Sequence, residues 1–408
     1  MKKISLLVLF LTLIGCKKEY TPENKIKEDV VFLADDKLEG RQTGTEGEKA
    51  AANYISKRFK ELEIEPKGTD GYFQAFNFTP KTSPHDEVKF TSVAEDSSIV
   101  GTNVVGFIDN KAENTVVIGA HYDHLGYGGD GSLFRDKEKA IHNGADDNAS
   151  GVAMMLNLAS KLKTTNTNNN YLFIAFSGEE IGLLGSNYFT KNTTIDAEKI
   201  NYMINMDMVG KMKADSTLAV YGVGTSPMFK QTLTANNDSF KLVENESGVG
   251  PSDHTSFYLI DIPVLHFFTG QHEDYHKPGD DSEKLNYDGM NLISDYIYSL
   301  ISDLDDNGKL AFRKTKNESE ETPRFKVGLG VVPDYLFDGE GMRIDGVSED
   351  KPAIKAGLKK GDVVVKIGDS TIVDMMGYMR ALSTFEAGNK TKVKVLRDGK
   401  EVEVDIEF

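Results

Sequence analysis

The chain of 408 residues contains a single cysteine, Cys16, which excludes an internal disulfide framework and any cysteine-rich zinc module. Basic residues are also in short supply: 47 Lys and Arg face 64 Asp and Glu, for a net charge of −17. Such a surface argues against nucleic acid as a partner and against charge-driven binding to anionic lipid. The apolar stretch ISLLVLFLTLI at residues 4–14 is too short to span a bilayer as a helix. No internal repeat is visible. With 39% hydrophobic residues the chain still has enough apolar material for a full core, and its length fits one large domain with a smaller companion.

At the N-terminus, Met1-Lys2-Lys3 followed by that short apolar stretch reads as a secretory signal. Leu13-Ile14-Gly15-Cys16 resembles a bacterial lipobox, in which cleavage before the cysteine leaves it N-terminal and lipidated. The expectation is a signal peptide over 1–15 and a polar tether over 16–25. The protein would then be an exported lipoprotein, membrane-anchored through Cys16 on the periplasmic or outer-surface side. Apolar spacing between Ile26 and Leu62 predicts helices broken by LEGRQTGTEG. Strands are then predicted at 102–108, 115–120, 171–176, 201–207, 218–222 and 262–268. Helices are predicted at 150–162, 181–192 and 286–304. Continuous apolar strands separated by helices indicate an α/β fold with a largely parallel or mixed central sheet flanked by helices. In such sheets a site lies outside the carboxyl ends of the strands. This domain is read as 26–305, followed by a polar linker at 306–324 and a small β-rich block at 325–408.

Five polar motifs stand where strands end. They are His121-Tyr122-Asp123-His124, the Asn143–Gly151 loop with Asp146 and Asp147, Glu179-Glu180, Asp207, and the His272–Asp281 loop with Tyr275 and His276. Imidazole and carboxylate without thiolate suit Zn²⁺, with Mn²⁺ or Co²⁺ as substitutes. Two divalent cations more than neutralise three carboxylates, the charge balance of a two-metal hydrolase. Asp123, two residues beyond His121 at a strand end, can hold the second ring nitrogen of that histidine. Taken alone, Asp146 and Asp147 would be an Asx-rich turn capping the next helix, and Glu179-Glu180 acids at a helix N-terminus. The ordered set favours metal chemistry for Asp147, Glu179 and Glu180.

HYDH, GADDNASG, SGEEIGLLGS, INMDMVG and YHKPGDD, with the opening LADDKLEGRQTGTEGEKAAANYI, together resemble the M28 zinc aminopeptidases over roughly residues 28–300. The related M20 peptidases usually insert a lid domain between the last two ligands, for which the 69 positions from Asp207 to His276 leave no room. The resemblance implies a zinc exopeptidase fold and peptide substrates with a free N-terminus. It makes His121 and Asp207 terminal ligands of one zinc and Glu180 and His276 those of a second, with Asp147 bridging both. It further implies a metal-bridging hydroxide as nucleophile, Glu179 as general base, Tyr275 near the oxyanion and a cis peptide at Asp147–Asn148. His254, in a Ser-Asp-His segment, is a candidate substrate contact, His266 a core histidine, and His124, His142 and His272 are not ligands by the motif. Val327–Val331 and Ala356–Gly368 resemble the PDZ domain, implying a peptide or protein ligand for the 325–408 block. Rival readings are a carboxypeptidase or glutaminyl cyclase-like enzyme on this scaffold, or a non-catalytic PDZ-based binding lipoprotein. The first would want a placed Arg or Lys for a terminal carboxylate, the second would not need five ligands, and the third would show lost ligands.

Overall fold

Runs such as TVVIGA and YLFIAF carry no polar alternation, so both faces of these strands must be covered. In the computed structural model they form the middle of a ten-stranded mixed sheet. Its strands are β1 (Glu65–Pro66), β2 (Phe73–Thr79), β3 (Lys89–Thr91), β4 (Ile99–Ile108), β5 (Asn114–His121), β6 (Asn169–Phe176), β7 (Ile200–Met206), β8 (Thr217–Tyr221), β9 (Lys241–Asn245) and β10 (Val264–Phe268). The spatial order is β3-β2-β4-β6-β5-β7-β10-β8-β9, with β1 beside β4. The four central strands β6, β5, β7 and β10 are parallel, and β4, β2, β3 and β8 each run antiparallel to an inner neighbour. The structure describes residues 22–80, 89–91, 98–129, 131–134, 138–315, 327–334, 337, 339–347 and 351–408. The expected signal peptide, Cys16 and most of the tether lie outside the described residues.

The helices of this domain are α1 (Pro22–Leu33), α2 (Glu46–Glu61), α3 (Gly151–Leu162), α4 (Leu184–Lys191), α5 (Phe229–Ala235), α6 (His254–Tyr258) and α7 (Tyr287–Leu304). Val30, Ile55, Leu158 and Ile297, from α1, α2, α3 and α7, belong to one buried cluster with the sheet. Phe189 of α4 and Phe257 of α6 join Val117 and Leu172 in another. α2 starts at a variant of the capping box: Thr45 accepts from the Glu48 amide (3.3 Å) while Glu48 accepts from the Gly44 amide (2.6 Å). No described helix is long and apolar enough to cross a membrane.

Two expectations need correction. The helix expected at 181–192 begins only at Leu184, because Gly178, Gly182 and Leu183 all have positive φ and cannot run on as a right-handed helix. Glu179 and Glu180 therefore sit in a turn, not on a helix N-terminus. The segment read as a linker from 306 stays on the first domain as far as Thr315. Leu310 is buried in the large cluster, the Arg313 amide donates to Thr225 O (2.8 Å), and the Thr315 amide donates to the Tyr258 hydroxyl (3.0 Å).

The C-terminal block is an all-antiparallel sheet of β11 (Val331–Pro333), β12 (Met342–Val347), β13 (Val363–Ile367), β14 (Ser370–Thr371), β15 (Lys390–Arg397) and β16 (Lys400–Glu407). Its own core includes Ile344, Val364, Ile367 and Val395, joined by residues of α8 (Pro352–Lys355) and α9 (Met375–Leu382).

Candidate metal centre

The four parallel strands deliver their polar residues to one edge of the sheet. His121 closes β5, Asp207 follows β7 at once, and Glu179 and Glu180 lie three and four residues beyond β6. The chain reverses at Gly178 (φ 73°), where the Leu184 amide donates to Gly178 O (2.9 Å), so the two glutamates stay at the strand end. Asp147 stands in the irregular turn before α3, and its peptide bond to Asn148 is cis. The amides of Asp146 and Asp147 both donate to Asp280 Oδ2 at 3.0 Å. The loop that carries His276 thus also fixes the loop that carries Asp147.

The two oxygens of Asp147 face opposite ways. Oδ1 lies 3.3 Å from His121 Nε2, which is also 3.3 Å from Asp207 Oδ1. Oδ2 lies 3.1 Å from His276 Nε2, which is 3.3 Å from Glu180 Oε2. Donor atoms of His121, Asp147 and Asp207 lie within 4.8 Å of one another, as do those of His124, Asp147 and Glu180. Both flanking imidazoles are held from behind. His276 Nδ1 is 2.8 Å from Gly131 O, and His121 Nδ1 is 3.2 Å from the main-chain oxygen of Asp123, which leaves each Nε2 directed into the site. The Asp123 carboxylate, expected to do this work, is 3.7 Å from His121 Nδ1 and instead accepts from Thr43 Oγ1 (3.0 Å) and the Glu179 amide (3.1 Å).

Burial raises the cost of every charge here, and the charges answer one another. Burial pushes the Glu180 carboxyl up, but His276 and His124 outweigh it and hold it at about 2. Asp147 likewise falls well below the carboxylate range, burial being overcome by its bonds with His121 and His276. Against the burial of their own charge, His121 is raised by Asp207 and Glu179, and His276 is raised to about 11, first of all by Glu180. These imidazoles hold protons to balance carboxylates, protons that divalent cations displace when they bind nitrogen and oxygen together. The donor set fits zinc in that sense. Glu179 is the exception: burial, Asp207 and Glu180 push its carboxyl well above the usual range despite His121.

Residues 103–301 match the sequence model of Peptidase family M28. Residues 310–408 match that of the PDZ domain. A probable leucine aminopeptidase of Trichophyton verrucosum (strain HKI 0517) is 31% identical over 211 residues, 48% of this chain and 54% of that protein. The chain therefore spans about half the length of the curated relatives it matches. Among solved structures, an aminopeptidase from Aneurinibacillus sp. strain AM-1 superposes with a TM-score of 0.53 at 18% identity, over 72% of this chain and 95% of that one. A glutaminyl cyclase of Bacteroides thetaiotaomicron superposes with a TM-score of 0.53 at 16% identity, over 69% and 97%. The shared fold is thus that of zinc aminopeptidase structures, and by itself it does not separate peptidase from cyclase.

Around the M28-matched residues, the structure adds what the motifs leave out. His124, set aside in the sequence, has Nδ1 2.6 Å from Glu180 Oε1, so two imidazoles flank that carboxylate. Its place in HYDH, three residues after His121, was the available signal. His254 is fully buried and stacked behind His266 (ring centroids 4.5 Å apart, 5° between planes). His266 is buried as expected, at 2% exposure, although it also borders a cavity, whereas His254 is not among the cavity-lining residues. That cavity, about 110 Å³, opens beside Glu179 and Asp207 and is walled by Met208, Tyr221, His266 and Phe268. Tyr275, also at its edge, stacks on His276 at 3.8 Å.

Proposed function

We propose that the protein is a zinc-dependent aminopeptidase with two metal positions, acting on peptides with a free N-terminus. The observation that carries this reading is Asp147, which offers one oxygen to the His121–Asp207 side and the other to the His276–Glu180 side. His121, Asp147 and Asp207 would hold one zinc, and Asp147, Glu180 and His276 the other, with Mn²⁺ or Co²⁺ as substitutes. When bound, zinc supplies polarisation of the scissile carbonyl and a water acidic enough to ionise near neutral pH. Glu179 takes up a proton on its carboxylate and returns it to the leaving amine. Its place beside the site, 4.0 Å from His121 Nε2 and outside both ligand groups, supports this assignment. Tyr275, stacked on His276, is oriented at the cavity edge, where its hydroxyl would donate to the developing oxyanion. The cavity wall of Met208, Tyr221 and Phe268 favours an apolar first residue, in keeping with a relative named a leucine aminopeptidase.

The PDZ-matched block would take an extended peptide along β11, which among the described strands pairs on one side only, with β12. Lipidation at Cys16 would hold the enzyme at a membrane on the exported side. Release of amino acids from free and N-acetylated peptides, with and without chelator, tests the activity. Free peptides should be cleaved, acetylated ones spared, and chelator should stop the reaction. Cleavage indifferent to acetylation overturns the aminopeptidase reading, and cleavage indifferent to chelator overturns the metal reading.

A further inference from the structure

The GRQTGTE segment precedes the M28-matched residues, yet it is bonded into the metal centre. Its backbone pairs with the HYDH loop: the His124 amide donates to Arg41 O (3.2 Å) and the Gly126 amide to Gly40 O (3.0 Å). This approach needs glycine at 40, where φ is +70° and a Cβ would sit 2.5 Å from His142 O. Arg41 is 1% exposed. Its Nε donates to Tyr122 O (2.8 Å), Nη1 to Asn143 O (2.6 Å) and to Leu33 O, and Nη2 to Gly144 O (3.0 Å). Among the described residues this buried guanidinium is bonded only to main-chain carbonyls and meets no carboxylate, a costly arrangement because no counter-charge repays the lost hydration. Burial lowers its pKa to about 10, with Asp123, Asp147, Asp280 and Glu180 pulling back up, so it stays charged at neutral pH.

Those carbonyls are not scattered. Tyr122 lies between His121 and Asp123, and Asn143-Gly144 form the turn that leads into Asp147. The same segment reaches a third loop: Thr43 Oγ1 donates to Asp123 Oδ2 (3.0 Å), and Ser177, just before Gly178-Glu179, donates to Glu48. Only a planar fork with five N–H donors serves carbonyls in several directions at once, which a lysine ammonium on a flexible stem does not reproduce.

We propose that Arg41, assisted by Thr43, is a positioning residue that sets the spacing between the His121 and Asp147 loops, making residues 40–48 part of the metal centre. The proposal rests on the zinc reading above.

The test measures zinc affinity of the full chain by competition with a chromogenic chelator, and the melting temperature of the metal-free protein. The variants are Arg41→Met, Arg41→Lys and Thr43→Val. The control is Arg58→Met, which removes a comparably buried arginine bonded to Asp29 (2.7 Å) and Glu61 (2.8 Å). Zinc affinity should fall about tenfold or more in both Arg41 variants and by a smaller factor in Thr43→Val. Arg58→Met should melt earlier yet bind zinc as wild type does. Wild-type affinity in Arg41→Met overturns the proposal, as does an equal loss in Arg58→Met. Should Arg41→Met fail to fold, Thr43→Val decides, and unchanged affinity there overturns it. A wild-type chain that binds no zinc refutes the metal reading itself, a separable outcome.

Discussion

Glu179→Gln and Glu180→Gln change adjacent residues by the same pair of atoms and should fail in different ways. Oxygens of Asp147, Asp207 and Glu180 lie 2.6–3.3 Å from ring nitrogens of the histidines. The nearest such approach of Glu179 is 4.0 Å, to His121 Nε2. Removing its charge therefore takes nothing from either ligand group, and zinc content should be unchanged. What disappears is the proton acceptor, worth roughly 10²–10⁴-fold in rate, or about 3–5 kcal/mol of barrier. Glu180 is flanked by His124 at 2.6 Å and His276 at 3.3 Å, and its charge balances theirs. A neutral amide there should weaken zinc by at least the 10–100-fold seen for groups that merely orient ligands. The assay pairs elemental analysis of dialysed protein with turnover of a free-amino peptide at saturating substrate. Equal zinc content and full activity in both variants would refute the reasoning. Zinc loss confined to Glu179→Gln would show the two roles to be exchanged.

Two further outcomes are expected. Burial raises the Glu48 carboxyl from 4.5 to about 8, bonds from Ser177 and Gly44 notwithstanding. The folded chain then keeps a proton that the unfolded chain releases, so this contribution to stability is full below pH ~4.5 and lost as pH rises toward 8. The shift corresponds to about 5 kcal/mol as an order of magnitude, and Glu48→Gln should gain on wild type between pH 5 and pH 8.5 in melting temperature. A parallel pH dependence in the two proteins would count against it. Cys16→Ser should move the protein from the membrane fraction to the soluble exported fraction, and retention at the membrane would remove the lipid anchor from the account.

The strands and the long helices were legible because their patterns are local. Apolar runs at 115–120 and 171–176 announce buried strands wherever they sit in a sheet. The donor residues were legible because each stands at the end of such a run, where a parallel sheet gathers its polar groups. The partners of those residues were not legible. Which oxygen of Asp123 meets His121 depends on a turn, and the sequence offers carboxylate and carbonyl alike. His254 was misplaced because it stacks behind His266 of β10, and nothing in SDH says on which side of that strand it lies. The linker boundary failed for a related reason: polar composition marked 306–315 as free chain, while a few apolar residues, Leu310 among them, sufficed to dock it. Strand β2, between β3 and β4, was missed because partial burial of FQAFNFT blurs the pattern.

The bond from Asp280 to the amides of Asp146 and Asp147 joins residues 134 and 133 positions apart. Asp280 lies four residues beyond the last donor, His276, so both leave the ribosome after every other part of the centre. A chain interrupted before them already carries His121, Asp147, Glu180 and Asp207 but lacks the carboxylate that accepts from the Asp146 and Asp147 amides. On the zinc reading, metal capture would thereby be tied to completion of the domain.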